Sequence, residues 1–403
     1  MIGKRLFVLL ACLFVVMIGF GITLPVLPFY VERLAQAEGA TRQAIVLHVT
    51  LLTAVYPLGQ LVFAPIWGRW SDRIGRRPLL LMGLAGYVVA QVLFGLATSL
   101  WLLSVADATT EGERGRGMAW LGTASSLGFV VGPALGGILV RPDFHVFARF
   151  GSLLIDGFSI PFFAAAALGL FTLAAAMRWL PESLPVGATD ATSVEPERRT
   201  LVRCLIPLLG LALVAQFALA MFEATFALHA QAVLSYGPAQ VGAVFVVCGL
   251  VMAVFQLGAS GLLAGRIAEL GQIGIGLALM GTSLVLLMVP RGMLWVLALV
   301  GLLALGMALV SPNLSALIST RGGRRRAGAA LGAQNAANSI GQATGPLVGG
   351  ALFVWQMNAP YVLSGGVLVV IALVVGCTRW AGADVTINDR RPVGFHELAQ
   401  LAW

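Results

Sequence analysis

Charged residues make up only 10% of the 403-residue chain, and a single lysine, Lys4, stands among its 25 cationic side chains. Soluble chains carry about a quarter charged residues, so this one has too few to cover a water-facing surface. Histidine and cysteine are as scarce, with four residues each. Cys12, Cys204, Cys248 and Cys377 lie in or beside apolar runs without paired spacing, which argues against a disulfide framework and a thiolate metal cluster. No Ser/His or His/Asp spacing suggests a nucleophile with its base, and no Gly-Lys loop of the phosphate-binding kind occurs. The composition offers the parts of neither an enzyme nor a nucleotide-driven machine, and no cofactor is expected.

What fills the chain instead is apolar: 59% of it is hydrophobic and the mean hydropathy is +0.93. Runs of about twenty apolar residues broken by short charged loops are membrane spans. They fall near 6–30, 44–67, 78–103, 118–140, 159–180, 204–232, 240–264, 272–290, 292–318, 328–355 and 358–379. The start, "MIGKRLFVLLAC", has the flavour of a lipoprotein leader. Only six apolar residues precede Cys12 and the run continues to Leu27, so a first span is the better reading.

The net charge of +8 is explained by where the cations lie. With the N-terminus and the motif loops in the cytoplasm, twenty cations fall inside and five outside (Arg33, Arg42, Arg141, Arg149 and Arg291). That is the positive-inside bias of a plasma-membrane protein with both termini cytoplasmic, and it needs no nucleic-acid partner.

The polar stretch 181–203 divides the chain into an N-terminal bundle (1–180) and a C-terminal bundle (204–380), with a cytoplasmic tail at 381–403. Each bundle carries one copy of a phrase: "SLGFVVGPALGG" (Ser126–Gly137) and "SIGQATGPLVGG" (Ser339–Gly350), identical at six of twelve positions. A shorter echo pairs "GRWSDRIGRRP" with "GLLAGRIAELG". Such duplication points to a transporter of two pseudo-symmetric helix bundles around a midplane site. From Gly68 to Gly132 is 64 residues, from Gly261 to Gly345 is 84. The shortfall of 20 is about 30 Å of helix, one bilayer crossing. The expectation is an all-α polytopic protein, nominally of twelve spans, with the fourth missing near Leu103–Ser104 and eleven readable.

In the long phrase, Gly128, Gly132, Gly136 and Gly137 set small residues at three- and four-residue spacing, and Pro133 bends the helix. This is either ordinary close packing or a helix pair between the bundles; the second copy favours the latter. In the short phrase, Asp72 among Arg73, Arg76 and Arg77 is either a solvated anchoring loop or a latch that breaks when the bundles rock. Of the 17 acidic residues, Glu223 alone lies well inside a span. A carboxyl at that depth is costly, and it is either a neutral structural group or a proton carrier. His229 lies about 240° round the helix from it and is read as a near-surface histidine.

Gly68, Asp72, Arg73, Gly75, Arg76 and Arg77 resemble the first-loop signature of the major facilitator superfamily. Gly128, Gly132, Pro133, Gly136 and Gly137 resemble the fifth-helix motif of its drug:proton antiporters. The likeness is to quinolone and multidrug efflux pumps of the NorA type, with tetracycline pumps further off. That resemblance implies a monomeric proton-driven exporter of small amphipathic compounds in the bacterial inner membrane. It implies proton coupling at Glu223 and a drug cavity lined by Tyr56, Gln60, Phe129, Glu223, Ser339 and Gln342. The chain departs from the pattern twice: Ala308 stands where the tenth helix carries a second acid, and the arginine motif of the fourth helix is absent. Within the same family the alternative is an exporter of one natural compound, such as a siderophore, sugar or lipid precursor.

Overall fold

A computed structural model describes residues 4–37, 39–74, 76–97, 118–140, 148–150, 153–155, 157–180, 198–256, 267–289, 291–323 and 327–380. Among them are eleven helices, one for each expected span. They are α1 (Lys4–Ala37), α2 (Arg42–Ile74), α3 (Arg76–Gly95), α4 (Met118–Leu139), α5 (Ile160–Trp179), α6 (Arg198–Leu234), α7 (Pro238–Val254), α8 (Glu269–Leu286), α9 (Met293–Gly322), α10 (Ala327–Trp355) and α11 (Ala359–Trp380). One feature is not helical: β1 (Ala148–Phe150) pairs antiparallel with β2 (Leu153–Ile155), Arg149 opposite Leu154.

Eight of the helices are long and apolar enough to cross a membrane. The others are α4, α7 and α10. The apolar parts of α4 and α7 are short, Leu127–Leu139 and Pro238–Val254. Gln334, Asn335, Asn338, Ser339, Gln342 and Thr344 lower the hydropathy of α10. These three helices make the contacts described below between and within the two halves, where packing against protein replaces contact with lipid. The chain is a multi-pass membrane protein.

Two helix ends run well past the expected span ends. Helix α2 runs on to Ile74, and α6 begins at Arg198, inside the expected linker. Hydropathy marks where lipid stops, but a helix closes its own backbone hydrogen bonds in water as well. Gly68, Asp72, Arg73 and Arg76 are therefore helical and not a loop, with Gly75 between α2 and α3; the side-chain geometry of that motif lies outside the described residues, Arg77 excepted. Linker residues 181–197, the tail 381–403 and the Leu103–Ser104 junction also lie outside them.

The repeated phrase explains how each half is built. A methyl on Gly132 would sit 2.6 Å from Ile18 O, and one on Gly136 3.0 Å from Ile22 O. Likewise Gly341 meets Leu213 O at 2.5 Å and Gly345 meets Phe217 O at 2.6 Å. Glycines four apart thus lay one turn after another of α4 along α1, and of α10 along α6, both pairs running parallel. Only the last glycine of each phrase reaches the other half. Gly137 abuts Ala239 and Gly242 of α7, and Gly350 abuts Thr50 of α2. The face expected between the bundles is mostly spent inside them, because the first helix of each half lies closer.

These contacts define two ends of the molecule. At the Glu32 end, where α1 and α6 finish, Gly39 takes φ +72° in the turn to α2, and Thr41 Oγ1 caps α2 by accepting from Ala44 N at 3.3 Å. At the opposite, Arg77 end, Arg77 Nη2 donates to Met177 O at 2.9 Å, near the carbonyl end of α5. Exposed tryptophans stand towards both ends, Trp355 at the first and Trp70 and Trp179 at the second, as interfacial anchors do.

Candidate functional site

Helix α6 divides its duties by angle. Phe222 and Phe226 turn into the core of the second half, their ring centroids 5.0 Å apart and 6.1 and 5.9 Å from that of Phe245. Thr225 and His229 turn to α11: the Thr225 hydroxyl lies 3.3 Å from Tyr361 Oη, and His229 Nε2 lies 3.1 Å from Asn358 Oδ1. His229 is only 3% exposed, so it is a packed, hydrogen-bonded residue and not the near-surface one expected. Ala220, Glu223 and Ala224 are left facing the junction between the halves.

There they border a narrow cavity of about 80 Å³. Helix α1 supplies Phe20, Thr23 and Leu24, α2 supplies Thr53 and Tyr56, α3 supplies Gln91 and Phe94, and α10 supplies Gln342 and Pro346. Glu223 is the only acidic or basic side chain among the lining residues. It is half-buried, and among the described residues no cation pairs with it. An aromatic wall with a few polar groups around one carboxyl suits an amphipathic guest.

Of the residues singled out from sequence, Tyr56, Glu223 and Gln342 line this cavity. Phe129 stands behind it: its ring centroid lies 6.3 Å from that of Phe20, which lies 5.7 Å from that of Tyr56. Gln60 and Ser339 meet each other across the two halves. Ser339 Oγ lies 3.2 Å from Gln60 Oε1 and 3.0 Å from Asn335 O, and its single proton serves one or the other. Ala308 is fully buried in α9, away from the lining. Sequence reasoning missed Phe20, Thr23, Thr53, Phe94 and Gln91. A signal existed for Gln91, a lone amide in the apolar run "YVVAQVLFG".

A second, roomier chamber of about 420 Å³ follows towards the Glu32 end. The shared helices contribute to it about one turn farther along: Glu32 after Pro28, Ile45 and Val46 before Val49, Leu228 after Ala224. Gln231 Nε2 donates to Glu32 Oε2 at 2.5 Å, joining α6 to α1. Beside this bond, Arg33 lies 5.5 Å from the ring of Phe158 and 5.6 Å from that of Tyr30, and Tyr30 Oη donates to Ala97 O at 2.5 Å. The Arg33 and Tyr30 contacts stay within the first half; the Gln231–Glu32 bond and the glycine contacts of Gly137 and Gly350 are what bring the halves together at the Glu32 end.

The family model of the Major Facilitator Superfamily matches residues 9–106, 95–338 and 208–392. The chain belongs to that superfamily. Among relatives it is similar to Multidrug resistance protein 2 of Bacillus subtilis, at 27% identity over 396 aligned positions covering 91% of this chain and 93% of that one. The class G tetracycline resistance protein of Vibrio anguillarum is 30% identical over 360 positions, covering 83% and 86%. The quinolone resistance protein NorA of Staphylococcus aureus is 24% identical over 387 positions, covering 91% and 94%. In fold, the chain resembles the human organic anion transporter MFSD10, with a TM-score of 0.67, 20% identity and coverage of 92% and 98%. A superfamily of paired helix bundles accounts for the parallel α1–α4 and α6–α10 packing, each half repeating the other.

Proposed function

We propose that this chain exports small amphipathic compounds in exchange for protons, by alternating access, across the inner membrane of a bacterium. The carrying observation is the position of Glu223, the one ionisable acid of a cavity built from both halves. Multidrug, tetracycline and quinolone resistance proteins among its relatives support the breadth of cargo. With both termini cytoplasmic, as the distribution of arginines implies, the Glu32 end, where the halves are bonded to each other, faces outward. The cavity then loads from the cytoplasm or the inner leaflet.

Coupling follows from competition at one carboxyl. Proton and cargo bind Glu223 in turn, so cargo loading on the inside displaces a proton, and rocking of the halves exposes the carboxylate to the outer side for reprotonation. One proton moving down one pH unit releases about 1.4 kcal/mol, enough to support a tenfold cargo gradient. In vesicles with an imposed pH gradient, extrusion of a dye, a quinolone or tetracycline is the test. Glu223→Gln keeps shape and removes the ionisation, so it is expected to abolish gradient-driven transport while the protein still folds. Undiminished proton-driven extrusion by that variant would remove Glu223 from the mechanism.

A further inference from the structure

We infer that Gln91 sets cargo specificity: its side-chain carbonyl accepts a hydrogen bond from an N–H or O–H group of the compound in the cavity. The inference rests on the export reading above and adds to it that the preferred cargo carries a hydrogen-bond donor.

The argument begins one turn away, at Tyr87. Tyr87 Oη lies 3.2 Å from Val15 O, and two oxygens at that separation need a proton between them, so the phenol's single proton is spent on Val15. The Gln91 amide lies beside the Tyr87 phenol, one turn along α3, and both groups border Gly19. With its proton spent, the Tyr87 oxygen can only accept, so Gln91 must present its NH2 group there. Amide orientation is thereby fixed by chemistry, where electron count alone leaves it ambiguous. Gly19 makes room for the arrangement: a side chain there would overlap Tyr87 Oη and lie 2.5 Å from Gln91 Nε2.

The consequence falls on the other end of the amide. Gln91 is 3% exposed, lines the cavity, and its Oε1 has no partner. A desolvated carbonyl without a donor is uncommon in a folded protein. The neighbouring hydroxyls do not supply one, since Thr23 Oγ1 donates to Gly19 O at 3.0 Å and Thr53 Oγ1 to Val49 O at 2.7 Å. Gln91 itself lines the cavity, so cargo is the group that can come to this amide. A site holding an acceptor for a donor discriminates strongly against compounds lacking it, because the acceptor is then left unmet.

Two lipophilic cations separate the outcomes: ethidium, which carries two aromatic amino groups, and tetraphenylphosphonium, which carries no donor. Binding of each to the purified protein, and its transport in proteoliposomes under a pH gradient, is compared between wild type, Gln91→Leu and Tyr87→Phe. Gln91→Leu is expected to raise Kd and KM for ethidium about tenfold, the worth of one hydrogen bond to a buried group, and to change them less than about twofold for tetraphenylphosphonium. Tyr87→Phe frees the amide to rotate and is expected to show a smaller loss in the same direction. Retained tetraphenylphosphonium binding serves as the control for folding. Equal shifts for both probes, no shift for either, or wild-type protein that binds neither would overturn the inference. Binding that follows the expected pattern without gradient-driven transport would sink the export reading and leave the assignment of Gln91 standing.

Discussion

Gly137 and Gly242 meet backbone to backbone across the two halves: a methyl on Gly137 would lie 3.3 Å from Gly242 Cα, and one on Gly242 only 3.0 Å from Gly137 Cα and 2.8 Å from Pro133 O. The contact joins α4 to α7 between the halves, at the Glu32 end. Gly242→Ala is therefore expected to push that end apart without unfolding the protein. Gly132→Ala acts differently, because its methyl would strike Ile18 O and Gly21 Cα inside the first half. Overpacking there is expected to cost about 1–3 kcal/mol of stability. Thermal unfolding in detergent should separate the pair, with Gly132→Ala lowered and Gly242→Ala near wild type. A reversed order would contradict this assignment of the two glycines.

The Gln231–Glu32 bond links the same end by electrostatics. Hydrogen bonds to a charged group contribute about 1.5–3 kcal/mol, which is a ten- to hundredfold bias in a two-state equilibrium. Gln231→Leu should enrich the conformation open at the Glu32 end. Spin labels at Thr41→Cys and Tyr236→Cys, in a background lacking Cys12, Cys204, Cys248 and Cys377, would report it as a longer distance population. An unchanged distribution would mean that the glycine contacts and the packing of Leu228 and Phe353 hold this end without the bond.

Reading the sequence located helices well and faces poorly, for a physical reason. A span is dictated by bilayer thickness, so apolar run length gives eight of the eleven helices their place, while α4, α7 and α10 are shorter or more polar in their apolar stretches. Glu223 stood out because a carboxyl in such a run is energetically conspicuous. Which side of an apolar helix turns to the cavity leaves no such mark. Phe20 and Phe94 look like any lipid-facing aromatic until α1, α2 and α3 are assembled. Thr23 and Thr53 satisfy their own helices and reveal nothing of their position. The glycine phrase is conspicuous, and its helices α4 and α10 pack both inside their own halves, on α1 and α6, and across the halves, on α7 and α2; small-residue spacing says that a helix approaches closely and not which one.

Phe20 offers a direct measure of the aromatic wall. It bridges Tyr56 and Phe129 with centroid separations of 5.7 and 6.3 Å, and it lines the cavity where Phe129 does not. Aromatic pairs are worth about 0.5–1.5 kcal/mol beyond their buried area. Phe20→Ala is expected to weaken binding of flat aromatic cargo by roughly tenfold, and Phe129→Ala by less. Substrate titration of tryptophan or ligand fluorescence on the purified variants decides the order. A larger loss for Phe129 would place the cargo on the far side of the wall.

Gln60 and Ser339 supply the test of whether the halves separate at this depth during transport. Ser339 belongs to α10 and Gln60 to α2, and their side chains are within 3.2 Å although no covalent path nearby connects the halves. A static junction there would leave both chambers fixed, and cargo at Glu223 could not pass to the other side. If instead the halves rock, this pair must part in every cycle, because it lies beside the cavity lined by Tyr56 and Gln342, one turn from each on its own helix. A Gln60→Cys, Ser339→Cys pair joined through two disulfides by a short bis-methanethiosulfonate, in the cysteine-free background, is expected to stop transport and to leave cargo binding from the open side intact. Reducing the link should restore activity. Transport that continues through the linked protein would mean that the cycle proceeds by local gating at the chambers, with α2 and α10 keeping their contact throughout.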